Sequence, residues 1–229
     1  VDSVEIQHLI GEDNLYTRNS IGDINNDGYD DMGFTGEDSM VFVLFGSSTG
    51  LQTGSAWSIN LMNFPLNHPE YFQLLPLINS AGDVNNDGYN DVIIAVKGSY
   101  TSLIFLGNST GISIEPFWIS PVQSGNDYNF YHDIEYEAMG VADLNNDGYG
   151  DVLINSYSGT AVVYAGSDTG MNSEPYWKLD ELMSNSEAFL PTERKIVTGD
   201  FNGDGSIDFA VFERESDYDL ELQQNIMYT

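Results

Sequence analysis

The sequence predicts an all-β fold, a β-propeller of about four four-stranded blades of about 60 residues each. Three observations lead there. A nine-residue acidic segment recurs four times in register. Each copy runs into a short stretch of β-branched and aromatic residues, the composition of a strand. Hydrophobic side chains make up 41% and aromatic ones 13% of the 229 residues, too many for an acidic disordered tail.

The acidic segment first reads Asp23-Ile-Asn-Asn-Asp-Gly-Tyr-Asp-Asp31. It returns as Asp83-Val-Asn-Asn-Asp-Gly-Tyr-Asn-Asp91 and Asp143-Leu-Asn-Asn-Asp-Gly-Tyr-Gly-Asp151, and last as Asp200-Phe-Asn-Gly-Asp-Gly-Ser-Ile-Asp208. The first residues lie 60, 60 and 57 apart. A strand is expected before each segment, as over 137–142. A second begins at its last Asp, as in Asp91-Val-Ile-Ile-Ala-Val. A third follows a Gly/Ser turn: Met40-Val-Phe-Val-Leu-Phe, Ser102-Leu-Ile-Phe-Leu and Thr160-Ala-Val-Val-Tyr. The third run ends at Gly46-Ser-Ser-Thr-Gly50, Gly107-Asn-Ser-Thr-Gly111 or Gly166-Ser-Asp-Thr-Gly170, and a short fourth strand carries Trp57, Trp118 or Trp177. Such a sheet cannot cover both its faces alone, whereas stacked sheets bury one another.

These marks divide one domain, 1–229, into repeats at about 11–70, 71–135, 136–194 and 195–229. The last repeat lacks the Gly turn and the Trp strand. The segment 4–10 is expected to complete it and close a four-bladed ring. The alternative is part of a larger propeller, completed by self-association or by further sequence. Helical periodicity is weak; 180–188 is the best candidate for a turn or two of helix.

Lys+Arg is 6 against Asp+Glu 36, a net charge of −30. Phosphate backbones and anionic lipid are repelled by such a surface, which argues against a nucleic-acid partner. No apolar run approaches the ~20 residues needed to cross a bilayer, so no membrane insertion is expected. With no Cys there is no disulfide, thiolate metal site or thiol nucleophile.

Oxygen-bearing side chains fall at positions 1, 3, 5 and 9 of each acidic loop, with the position-7 carbonyl between them. These are Asp23, Asn25, Asp27, Tyr29 and Asp31; Asp83, Asn85, Asp87, Tyr89 and Asp91; Asp143, Asn145, Asp147, Tyr149 and Asp151; and Asp200, Asn202, Asp204, Ser206 and Asp208. Calcium takes six to eight such oxygens, and alternate positions on a tightly curled chain point inward to supply them. The position-6 glycines (Gly28, Gly88, Gly148, Gly205) permit a positive φ. About four Ca²⁺ are therefore expected. Magnesium fits less well, because it demands octahedral geometry and keeps its waters. An EF-hand would need Glu at position 12, where Phe34, Ile94, Ile154 and Val211 stand.

The loop, the apolar strand after it and the run Val-Phe-Val-Leu-Phe-Gly-Ser-Ser-Thr-Gly together resemble the FG-GAP repeat of the integrin α-subunit propeller. The resemblance implies calcium loops between the first and second strands of each blade, with a ligand-binding face opposite. Two departures stand beside it: the Phe-Gly and Gly-Ala-Pro signatures are degraded, and integrin-type propellers have seven blades.

Other motifs read as structure. Gly46–Gly50 and Gly107–Gly111 match the G-x-S-x-G of a hydrolase elbow, but recur as turns, and Asp168 replaces the Ser in the third copy. His8, His68 and His132 form no zinc-ligand pairing. Asn108-Ser-Thr110 is an N-glycosylation sequon. The tryptophans read as blade core rather than a sugar platform. The least repetitive stretches, 60–70, 121–137 and 179–194, are where a ligand would be met. Tyr128, Tyr131 and His132 are the candidates there.

The function expected is that of an extracellular, secreted or cell-surface, calcium-stabilised binding or adhesion module for a protein or glycan ligand. Alternatives are a carbohydrate-binding lectin and a structural repeat domain of a surface protein or filament. Enzyme activity is not expected. A polysaccharide lyase would need a basic cluster, and the basic residues (Arg18, Lys97, Lys178, Arg194, Lys195, Arg214) are scattered.

Overall fold

The structure is a computed structural model. It describes residues 18–36, 38–53, 56–66, 76–96, 99, 101–121, 136–156, 161–179, 193–203, 208–214 and 223–227. Strand follows strand throughout, and no α-helix occurs among these residues.

The first sheet runs β1 (Arg18–Gly22), β2 (Asp31–Thr35), β3 (Met40–Leu44) and β4 (Ala56–Asn60), each hydrogen-bonded to the next. A 3₁₀ turn, Leu61–Asn63, follows; its Met62 N–H donates to Asn60 Oδ1 at 2.9 Å. The second sheet is built from β5 (Pro76–Gly82), β6 (Asp91–Val96), β7 (Thr101–Phe105) and β10 (Trp118–Ile119). Between its last two strands, β8 (Gly107–Asn108) and β9 (Gly111–Ile112) make a two-stranded hairpin. The third sheet is β11 (Tyr136–Ala142), β12 (Asp151–Ser156), β13 (Ala161–Tyr164) and β14 (Trp177–Leu179). The fourth has β15 (Glu193–Gly199), β16 (Asp208–Arg214) and β17 (Gln223–Met227). All these pairings are antiparallel. The fold is an all-β propeller, its sheets being successive blades.

The strand chemistry explains the stacking. Every residue of β6 (Asp-Val-Ile-Ile-Ala-Val) is buried, so both faces of its sheet are covered. Alternate side chains point to opposite faces. Val92, Ile94 and Val96 join Ile21, Val41 and Val43 of the first sheet, and Ile24 of its acidic loop, in one core. Ile93 and Ala95 join Val152, Ile154, Val162 and Tyr164 of the third sheet in another. Each apolar seam is thus shared between neighbouring blades, and β5 lies against both β1 and β11. Trp57 packs edge-on to Phe105 (5.7 Å) and Trp118 against Tyr164 (5.0 Å), which places two of the repeat tryptophans in these seams.

The first strands approach closely. A Cβ on Gly140 would meet the backbone C and O of Ala81 at 2.3 Å, so only glycine fits there. Asparagines one repeat apart tie the same strands together. Asn19 Nδ2 donates to Ile78 O (2.7 Å) and Asn79 Oδ1 (2.8 Å), and Asn79 Nδ2 donates to Ala138 O (2.9 Å). The segments 4–10 and 180–188, expected as a strand and a helical turn, lie outside the described residues.

Candidate metal loops

Each acidic loop leaves the first strand of its sheet and enters the second, so its ninth residue is both loop and strand. A bulge precedes the first three loops, with register shifts between Ser20 and Gly22, Ser80 and Gly82, and Gly140 and Ala142. Gly22 (φ 78), Gly82 (φ 74) and Ala142 (φ 65) take the left-handed conformation there. Inside the loops, position 6 is left-handed at Gly28, Gly88 and Gly148 (φ 92, 91 and 94). Position 4 is left-handed too, at Asn26, Asn86 and Asn146 (φ 55, 56 and 58), a role asparagine tolerates.

The first three loops share one hydrogen-bond pattern. At position 1, Asp23 accepts Asp27 N–H on Oδ1 (3.0 Å) and Gly28 N–H on Oδ2 (2.7 Å). Asp83 and Asp143 do the same. At position 3, the side-chain oxygens of Asn25, Asn85 and Asn145 accept the position-5 amides, while their Nδ2 groups donate to the carboxylates of Asp27, Asp87 and Asp147. Those carboxylates also accept N–H bonds from Tyr29, Tyr89 and Tyr149 at 3.0 Å.

Position 9 is buried in every loop, at Asp31, Asp91, Asp151 and Asp208. A buried carboxylate requires partners. Asp31 receives Ile24 N–H (3.0 Å) and, from the Gly turn after the third strand, Gly46 N–H (2.7 Å). Asp91 receives Val84 N–H (2.8 Å) and Gly107 N–H (2.9 Å). Asp151 receives Leu144 N–H (2.9 Å), Gly166 N–H (3.3 Å) and the hydroxyl of Tyr176 (3.1 Å). The recurring glycine turn is therefore part of the loop's support. Burial raises the pKa of all three, against the lowering effect of these donors. The Asp91 carboxyl is pushed up to about 7, with Asp87 and Asp83 adding like-charge repulsion. Tyr176 is raised as well, by burial and then by the charge of Asp151.

The fourth loop keeps part of this pattern. Phe201 N–H donates to Asp208 Oδ2 (3.0 Å) and Gly203 N–H to Asp200 Oδ1 (2.6 Å). Asp208 Oδ1 is buried with no hydrogen-bond partner. Asp204 and Ser206 lie outside the described residues, as do Tyr128, Tyr131 and His132 of the expected ligand face.

The donor set fits a hard cation. The side chains at positions 1, 3, 5 and 9 all present oxygen, and a carboxylate offers about four lone-pair sites. Asp23, Asp27 and Asp31 each spend two on donors. Asp208 Oδ1, buried with no hydrogen-bond partner, is an oxygen that a cation could satisfy. Among the described residues, however, no three His, Cys, Asp or Glu side chains are gathered into a ready-made metal cluster. The carboxylates are held by their own loop amides instead. Composition and spacing identified the loops; they did not identify the left-handed asparagines, the glycine-turn amides or Tyr176. The doubled Asn-Asn and the Asp-to-Gly interval of 15 or 16 residues were available signals for the first two.

The site and the fold define the class: an all-β propeller whose blades carry recurring acidic loops. Residues 83–154, spanning the second and third acidic loops, match the family model described as FG-GAP-like repeat. Integrin alpha-IIb of Mus musculus is 34% identical over 88 residues, covering 35% of this chain and 8% of that protein. Integrin alpha-IIb of Homo sapiens is 31% identical over 88 residues with the same coverage. The matched stretch is thus a small part of those relatives' length. Two crystal structures of BBS1N in complex with ARL6DN also align. The lead-soaked one covers 86% of this chain and 48% of its own at 15% identity and TM-score 0.42; the mercury-soaked one covers 90% and 55% at 11% and 0.44.

Proposed function

We propose that this chain is a calcium-stabilised, extracellular β-propeller domain that serves as a non-enzymatic binding or adhesion module for a protein or glycan ligand. One observation carries the reading: an oxygen-rich D-x-N-x-D-G-x-x-D loop recurs at the same point of each blade, with the same hydrogen-bond pattern in the first three. The residues that would hold Ca²⁺ are Asp23, Asn25, Asp27, Tyr29 (by its carbonyl) and Asp31, with their counterparts in the other three loops. Bound there, the ion supplies the positive charge that offsets three carboxylates in one short turn. The similarity to integrin alpha-IIb supports a binding role, and the three connecting stretches between blades are the proposed ligand face. Two repeat tryptophans pack into blade seams, which favours protein adhesion over a lectin built on a tryptophan platform.

Titration calorimetry of the whole chain with CaCl₂ and with MgCl₂ tests the metal. Calcium binding at about four sites, with Kd around the 10⁻⁴–10⁻³ M range of extracellular modules and little response to magnesium, is expected. No heat with calcium, or equal affinity for both ions, overturns the reading.

A further inference from the structure

The three Trp strands enter their sheets in equivalent ways, yet only one reaches an acidic loop. The residue before Trp118 is Phe117, whose N–H donates to Ile104 O at 2.7 Å. The residue before Trp177 is Tyr176, whose N–H donates to Val163 O at 3.0 Å. Trp118 pairs with Ile104 and Trp177 with Val163, so Phe117 and Tyr176 hold the same place in consecutive blades. In the first blade that place is Ala56. The phenol is what differs: Tyr176 OH donates to Asp151 Oδ2 at 3.1 Å across 25 residues of sequence. Asp31 and Asp91 are each held by two backbone amides, whereas Asp151 has two amides and a hydroxyl.

We propose that Tyr176 is a positioning residue for the third acidic loop, orienting Asp151 for calcium and making this loop the tightest of the first three. The inference rests on the calcium reading above, whose fit to a cation is supported independently by the buried, unpartnered Asp208 Oδ1 of the fourth loop. Groups hydrogen-bonded to a metal ligand fix its orientation, and losing one typically weakens binding about 10–100-fold. The phenol also holds the closing carboxylate while the loop is empty, so less ordering remains to be done when the ion arrives. Tyr176 uses one oxygen of Asp151 and leaves the other to Gly166 N–H.

The test uses Tyr176→Phe, which removes only the hydroxyl, and Phe117→Tyr, which introduces one at the matching place beside the second loop. Calcium titrations of the whole chain are fitted for separate sites, and melting is recorded in chelator. The Tyr176→Phe variant is expected to lose the tightest site, with its affinity down about 10-fold or more and the other sites unchanged. The Phe117→Tyr variant is expected to gain affinity at one site. Unaltered calcium affinities in Tyr176→Phe overturn the proposal while leaving the calcium reading intact. So does a uniform weakening of all sites, or a lower melting temperature in chelator with the affinities kept, since either marks a scaffold role. A wild-type chain that binds no calcium overturns both.

Discussion

The first three blades and the fourth use the same loop for different ends of the same problem. In the first three, position 9 is enclosed by two amides, one from position 2 and one from the glycine turn 15 or 16 residues on. In the fourth, Asp208 is equally buried but only one of its oxygens has a donor. The first three blades are also joined by asparagine bonds between their first strands, where the fourth has Val197, 45% exposed. The lesson is that the motif specifies the loop and one amide for its last carboxylate, while the second amide comes from a glycine turn outside the motif.

The largest effect should come from deleting that carboxylate where two buried amides depend on it. Asp91→Ala strands two buried amides, Val84 and Gly107, each costing ~1–3 kcal/mol. Asp208→Ala strands one, Phe201. Denaturant unfolding should show Asp91→Ala losing about 4 kcal/mol and Asp208→Ala about half as much. Equal losses would break the comparison.

Next comes the turn that supplies the second amide. A Cβ on Gly107 would lie 2.2 Å from Asn90 O and 2.5 Å from Ile24 O, both backbone and from two different loops. Gly107→Ala should cost about 3 kcal/mol by the same measurement. Gly50→Ala meets no neighbour and pays only for its left-handed φ of 106, about 1–2 kcal/mol.

The asparagine ties should matter less. Asn79→Ala removes a bond given to Ala138 O and one received from Asn19, a loss of about 1–2 kcal/mol in the same assay. Smallest, and of opposite sign, is Ala142→Gly. Ala142 sits at φ 65 where the first two blades place glycine. Relief of ~1–2 kcal/mol of strain, less the ~0.5–1 kcal/mol entropy cost of glycine, should raise stability by about 0.5 kcal/mol.

The strands were legible because β-branched runs sit between constant punctuation, and the loops because an oxygen recurs at alternate positions. Both signals are local. The unseen features are contacts between distant residues: Tyr176 to Asp151, Gly107 to Asp91, Asn19 to Asn79. The bulge at Ala142 was hidden by its residue type, since alanine does not announce a left-handed backbone.

On the proposed function, divalent ions are parts of this fold. With ~2 mM calcium and a Kd of ~0.1 mM, each proposed site would add roughly 1.8 kcal/mol, and four would add roughly 7. A thermal melt in 2 mM CaCl₂ should therefore lie roughly 20 °C above one in chelator. Coincident melts in the two buffers would contradict the account.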